Sequence, residues 1–252
     1  MPSGTSEPMR LLTGTSGFAY REWRDSFYPA ALPVSAMLRY YAGQFPAVEI
    51  NSTFYRMPEE SVLRKWAEEV ANEFTFVLKA RQSITHRKRL KDAAEPVSAF
   101  FRVARSLGGR LGPVLVQLPP NMKKDVDRLA AFLPLLPPGA RVAFEFRHPS
   151  WFDDHVYDTL RAHGAALCIA HGERVDTPVV ATAPWGYVRL RQIEYDDAQL
   201  DRWADVVHAQ PWSEAFVFFK HEDTGTGPRL ARRFADLFHT AAATDRGTER
   251  VT

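Results

Sequence analysis

The residues best suited to chemistry in this chain are charged side chains that close short apolar runs. The clearest case is RVAFEFRHPSW, residues 141–151. Val142, Phe144 and Phe146 alternate with Ala143, Glu145 and Arg147, a period of two that reads as a strand. Glu145 and Arg147 then share a face. Pro149 stops the strand, Ser150 is placed to cap, and Trp151 opens an amphipathic segment. Similar polar endings recur at Ser16, Glu49 and Asn51, Lys79 and Arg81, Gln117, Arg189 and Arg191, and Lys220. Guanidinium forks and ammonium charges suit phosphate or carboxylate, so Lys79, Arg147, Arg189 and Lys220 point to an anionic ligand. Glu145 or Glu49 would act as general acid or base, with Lys79 as a further catalytic candidate. Ser16, Asn51, Tyr55, Gln117 and His148 would contact and orient the substrate. The competing reading is an internal network in which the two glutamates only neutralise the cations, because buried charges persist when paired.

Other chemistries are weaker. Lys79 or Lys220 would form a Schiff base only as a desolvated amine of lowered pKa, and nearby arginines are the sole sequence support. His148, His171 and His221 follow strands and, with Glu49, Glu145 and Asp223, are of metal-ligating type. No H-E-x-x-H or comparable spacing accompanies them, so a divalent metal stays unsupported and hydrogen-bonded loop histidines are the better reading. The loop 85–92 carries His86, Arg87, Lys88, Arg89 and Lys91. With Trp23, Tyr28, Tyr55 and Trp151 it offers a second reading, contact with a nucleic-acid backbone and stacking of bases. Composition alone favours a solvated basic loop. GTSG, residues 14–17, can cradle a phosphate through backbone amides, but one glycine pair is a weak motif. Cys168, in AALCIA, reads as a small buried hydrophobe.

Positioning these groups requires a particular alternation of elements. Strand-like runs fall at 11–15, 47–51, 74–81, 113–118, 141–147, 165–170, 185–191 and 215–220. Helical patterns fall at 33–44, 59–70, 96–107, 126–135, 151–163, 196–208 and 228–240. The stretch 172–184 is too short for a full helix, so the helix after strand six is short or missing. Eight strands alternating with about seven helices, without a linker, predict a single α/β domain, a (β/α)8 TIM-type barrel over 11–240. Residues 1–10 and 241–252 read as flexible tails. An open doubly wound sheet would want G-x-G-x-x-G after the first strand, and GTSGFAY lacks it. In a barrel, polar strand ends collect at one face, where active sites are built.

Composition limits the partners. Net charge is only +2, so no whole-molecule field demands nucleic acid or membrane. One cysteine excludes an internal disulfide and suits a reducing, cytoplasmic setting. MPSGTSEPMR has no apolar run of signal-peptide length, and no stretch approaches a membrane span. There is no nucleotide-cofactor motif, and the oligomeric state is not encoded legibly.

GTSGFAYREWRDSFYP, VEINSTFYRMP, FVLKARQSITHRKRLKD, VLVQLPPNMKKD and VAFEFRHPSWF, taken in order, resemble the domain of unknown function 72, or YecE-like, family. The resemblance runs from about Leu11 to Phe238 and implies a TIM barrel with no settled activity. The residues it implies as shared are Gly14, Ser16, Gly17, Trp23, Glu49, Asn51, Phe54, Tyr55, Lys79, His86, Gln117, Pro119, Glu145, Arg147, His148, Trp151, Tyr187 and Arg189. The chain departs from the family pattern after strand six, where His171 follows Ala170 in place of an aspartate, and after strand seven, where Arg191 replaces a histidine. Some members carry asparagine in place of Lys220. These departures make the rim more basic.

Overall fold

The structure, a computed structural model, describes residues 8–172, 174–220 and 225–248, and of 242–248 the backbone alone. Eight strands form one sheet: β1 (Arg10–Thr15), β2 (Ala47–Ile50), β3 (Thr75–Lys79), β4 (Leu111–Gln117), β5 (Val142–Glu145), β6 (Ala166–His171), β7 (Trp185–Leu190) and β8 (Glu214–Phe219). All ladders are parallel, in the order β1-β8-β7-β6-β5-β4-β3-β2. The remaining seam, between β1 and β2, carries one backbone bridge, Ser16 to Glu49. The helices are α1 (Met37–Ala42), α2 (Glu60–Glu69), α3 (Ala94–Ala104), α4 (Val126–Phe132), α5 (Asp154–Ala162), α6 (Asp197–His208) and α7 (Thr226–Thr248). The expected TIM-type barrel is the fold.

Period-two alternation divides the strands into an inner and an outer set. Outward residues such as Val48, Leu78, Phe144 and Phe219 pack against the helices. Inward residues form their own cluster, with Leu12, Val77, Leu115, Tyr187, Phe216 and Phe218 among them. Large rings on β7 and β8 face small residues Ala143, Ala166 and Cys168 on β5 and β6, so the volumes complement and the barrel is filled. Cys168 is fully buried there, as its sequence neighbours implied. At the N-terminal end, Arg141 and Arg10 pair with Glu214, and Arg141 lies over the Trp185 and Phe216 rings. That closes the floor.

Tyr41 completes the open seam. Its hydroxyl accepts from the Thr15 backbone N–H at 2.8 Å and donates to the Ala47 carbonyl at 3.2 Å. A phenol on α1 therefore replaces a missing ladder bond between β1 and β2. Tyr41→Phe should leave that buried N–H without its acceptor and lower stability by about 1–3 kcal/mol, measurable as a shifted denaturant midpoint with unchanged slope.

Between β6 and β7 no helix occurs among the described residues. An extended segment takes its place. Thr182 accepts from Leu167 N–H at 2.7 Å and donates to the Ala165 carbonyl at 2.8 Å, tying the segment to β6. Several helices differ from expectation at their ends. Pro149–Trp151 forms a separate 3-10 turn, and Asp153 rather than Ser150 caps α5, accepting from His155 N–H at 3.1 Å. Pro149 and the extended Asp153 backbone interrupt what the sequence pattern joins. At the other end, α7 continues to Thr248, beyond the expected stop at 240. Among the described residues no helix is long and apolar enough to cross a membrane.

Candidate active site at the C-terminal mouth

Each polar strand end sits one or two alternations above the inner apolar cluster, so the barrel itself converges them. Glu49 on β2 and Glu145 at the end of β5 are both fully buried. Arg189, on β7, lies between them at 1 % exposure. Its Nη2 donates to Glu49 Oε1 at 2.8 Å and its Nη1 to Glu145 Oε2 at 2.5 Å. One guanidinium thus ties opposite arcs of the barrel. Glu49 Oε1 also accepts from Ser16 Oγ at 2.7 Å and Asn51 Nδ2 at 3.0 Å, and Oε2 accepts from the Tyr187 hydroxyl at 2.6 Å. Glu145 Oε1 pairs with Arg147, whose side chain is 15 % exposed and reaches the mouth.

The electrostatics follow from this wiring. Burial pushes the Glu49 carboxyl up, but the Arg189 charge and the Tyr187 and Ser16 hydrogen bonds outweigh it, holding the pKa down at about 2. Glu145 is likewise pushed up by burial and held below the usual carboxylate range by Arg189 and Arg147. Both glutamates stay ionised near neutral pH with their oxygens engaged.

Lys79 behaves oppositely. Its Nζ donates to Gln117 Oε1 at 2.7 Å and lies 4.7 Å from the centre of the Phe54 ring. Burial first, then the Arg189 charge, lowers its pKa to about 8 against the partial support of Glu145 and Glu49. Arg191 also acts on both carboxylates. Four cations, Lys79, Arg147, Arg189 and Arg191, therefore bear on two carboxylates. Asn51 Oδ1 and Arg81 Nε are buried at the mouth or nearby without a hydrogen-bond partner among the described residues.

The family described as "Protein of unknown function DUF72" matches residues 12–250. The chain belongs to the DUF72 family. It is 32 % identical over 223 residues to the UPF0759 protein YecE of Escherichia coli K12, covering 77 % of this chain and 82 % of that one. A crystal structure of a DUF72 family protein from Thermotoga maritima superposes with a TM-score of 0.82 at 26 % identity, over 91 % of this chain and 99 % of that one. A second, from Enterococcus faecalis, gives 0.76 at 19 % identity over 93 % and 99 %, a likeness of fold alone.

Most of the side chains that the sequence singles out meet in this DUF72 barrel. Ser16, Glu49, Asn51, Glu145, Arg147 and Arg189 form one connected set, and the Lys79–Gln117 pair lies beside it, with Gln117 opposite Glu145 in the β4–β5 ladder. Arg189 differs from the expected ligand contact, because both carboxylates occupy it beneath the surface. Lys220, at the end of β8, is half-buried, and its backbone N–H donates to the Leu190 carbonyl at 3.1 Å. His148 Nδ1 is taken by the Ser150 backbone N–H at 3.2 Å, so that ring shapes the turn after β5. Tyr55 lies outside the mouth proper, 69 % exposed beside Phe54.

The aromatic half of the nucleic-acid expectation needs correction. Trp23, Tyr28 and Trp151 are all at 1 % exposure or less and cannot stack on bases. Trp151 instead stacks on Phe146 at 4.6 Å and donates from Nε1 to the Met122 carbonyl at 2.7 Å. The basic loop begins as a π-helical turn, Ser83–Arg87. Arg87, Lys88 and Lys91 are exposed, whereas Arg89 donates to Asn121 Oδ1 at 3.2 Å. His86 is held edge-on to Phe54, with its pKa lowered by burial and by the Lys79 charge. Positive φ at Arg89, Leu90 and Asp92 strains this loop. Among the described residues no three His, Cys, Asp or Glu side chains converge, and His221 and Asp223 lie outside them. His171 is hydrogen-bonded to the Tyr195 hydroxyl at 3.0 Å. Tyr187 and Phe54 contribute directly to the site, and only the family resemblance pointed to them, since an inward strand position and a loop aromatic look like packing in sequence.

Proposed function

We propose that the protein is an enzyme acting on a small anionic substrate, phosphorylated or sugar-like, at the C-terminal mouth of the barrel. The observation that carries this reading is the convergence of charge: Arg189 holds both buried carboxylates, Arg147 pairs with Glu145, and the buried Lys79 amine lies within the field of Arg189 and Arg191 with no carboxylate of its own among the described residues. An anion entering there relieves cation–cation repulsion that the protein otherwise bears, and preorganised charge of this kind is the largest common source of transition-state stabilisation. Lys79 is the reactive group in this reading. With a pKa near 8 it is populated in both protonation states near neutral pH, as a proton carrier or nucleophile requires. Glu145 and Glu49, sequence candidates for acid–base work, instead hold the cations in place, because a carboxylate kept ionised by paired guanidinium groups is a poor base. Gln117 orients Lys79, and Asn51 offers an acceptor to a substrate hydroxyl. A cytoplasmic setting suits the single buried Cys168.

The basic loop favours a second reading, oligonucleotide binding through Arg87, Lys88 and Lys91. A thermal-shift series separates the two. Sulfate, inorganic phosphate and sugar phosphates should raise the melting temperature by mass action, and Arg147→Ala should abolish the rise. A shift with single-stranded DNA or RNA alone, steeply lost with salt, would move the function to the loop.

A further inference from the structure

The surroundings of Lys79 suit more than a point charge. We infer that the Lys79 amine condenses with the carbonyl group of a small anionic aldehyde, ketone or oxo acid to form an imine at the barrel mouth. The inference rests on the anion-site reading above and adds the functional group that the substrate must carry.

The chain has seven lysines, at positions 65, 79, 88, 91, 123, 124 and 220. Lys65, Lys88, Lys91, Lys123 and Lys124 are exposed to solvent. Lys79 is set apart by geometry. It leaves the end of β3 toward the barrel interior, and Thr53 Oγ1 donates to its backbone carbonyl at 2.7 Å, fixing where the side chain starts. Its Nζ has one hydrogen-bonding neutral partner, Gln117 Oε1, and the Phe54 face covers another side. No carboxylate forms an ion pair with it among the described residues, since both nearby glutamates are already taken by arginines. An amine beside cations, with low solvation and no counter-ion of its own, is the arrangement that frees the lone pair for carbonyl attack. The lowered pKa agrees with that geometry.

The step balances without a co-reactant. The Lys79 lone pair forms the C–N bond as the carbonyl π pair moves to oxygen. Both amine protons then leave with that oxygen as water, and the C=N bond remains. Arg147 and Arg191 would hold the substrate's anionic group, so a charged carbonyl compound should react in preference to a neutral one.

Reductive trapping tests this directly. The protein is incubated at about pH 7.5 with glyoxylate, an anionic aldehyde, or with glycolaldehyde, a neutral one, and sodium cyanoborohydride reduces any imine to a stable secondary amine. Peptide mapping should find the glyoxylate adduct on Lys79 at least tenfold above any other lysine, with little adduct from glycolaldehyde. Excess sulfate should protect Lys79 without changing labelling elsewhere, a control that needs no variant. Lys79→Arg should keep sulfate binding and lose the dominant adduct. Label spread evenly over the lysines, or concentrated on Lys220, would overturn the inference. Sulfate binding without a Lys79 adduct would remove the imine and leave the anion site standing. Failure of both sulfate and glyoxylate would remove the two together.

Discussion

Arg189→Leu should destabilise the protein by about 3–5 kcal/mol, the usual cost of leaving buried charge without its partner. Two carboxylates lose a shared counter-ion at once, and Arg189 itself is among the largest fully buried side chains, so lost packing adds to the deficit. Urea or guanidinium unfolding monitored by tryptophan fluorescence would measure it. The pH dependence should also change sign. In the wild type the Glu49 pKa is lowered from 4.5 to about 2, so its contribution is present above about pH 4.5 and is lost as pH falls toward 2. Without Arg189, burial dominates and the folded-state pKa rises above its unfolded value. The variant should then be less disadvantaged in acid and lose stability as pH rises through the carboxyl range. A variant as stable as wild type at neutral pH would mean that the buried network is not what holds these glutamates.

Gly14→Ala should cost about 3 kcal/mol or more, at the upper end of overpacking penalties. A Cβ at Gly14 would lie 2.0 Å from the Ala47 carbonyl oxygen and 2.8 Å from the Tyr41 hydroxyl. Neither can retreat cheaply, because the carbonyl belongs to β2 and the hydroxyl bridges the β1–β2 seam, which carries a single backbone bridge. Relief would have to come from parting β1 and β2, which carry Ser16 and Glu49 into the site. Gly109→Ala is the matched control, since nothing lies within 4 Å of its Cβ position. It should be neutral or slightly stabilising. Equal melting temperatures for the two variants would show that the seam is looser than the distances imply.

The fold was legible because its two periods are clean. Residues 142–147 alternate large apolar with small or charged side chains, and the short interval 172–184, with Pro178 and Pro184, leaves little room for a full helix. Which polar residues end strands was equally visible, and so was their meeting at one face. Their pairing was not. Arg189 finds Glu145 44 residues away and Glu49 140 residues away, and nothing local says that one guanidinium will serve both. For the same reason Glu145 resembled a catalytic acid in sequence and sits in space as a counter-ion. Aromatic residues misled in the opposite direction. Trp151 follows a charged strand end and resembles a rim residue, yet its ring turns inward onto Phe146. Tyr41 showed only that it lies on a helix face, and its hydroxyl in the β1–β2 seam depends on a register that no window of sequence contains.

The central claim is that the mouth is a compact anion site in which Lys79 changes protonation state near neutral pH. Calorimetric titration with sulfate, whose charge is constant over the range, tests it most directly at about pH 6.5 and about pH 9.5. A lowered lysine pKa of about 8 means that the ammonium is present at the first pH and mostly lost at the second. Wild-type affinity should fall by roughly tenfold or more between them, the worth of one charge-assisted hydrogen bond. Lys79→Met should bind weakly at both and show little pH dependence. Sulfate binding that is equally tight at both pH values, or unchanged in Lys79→Met, would contradict the account.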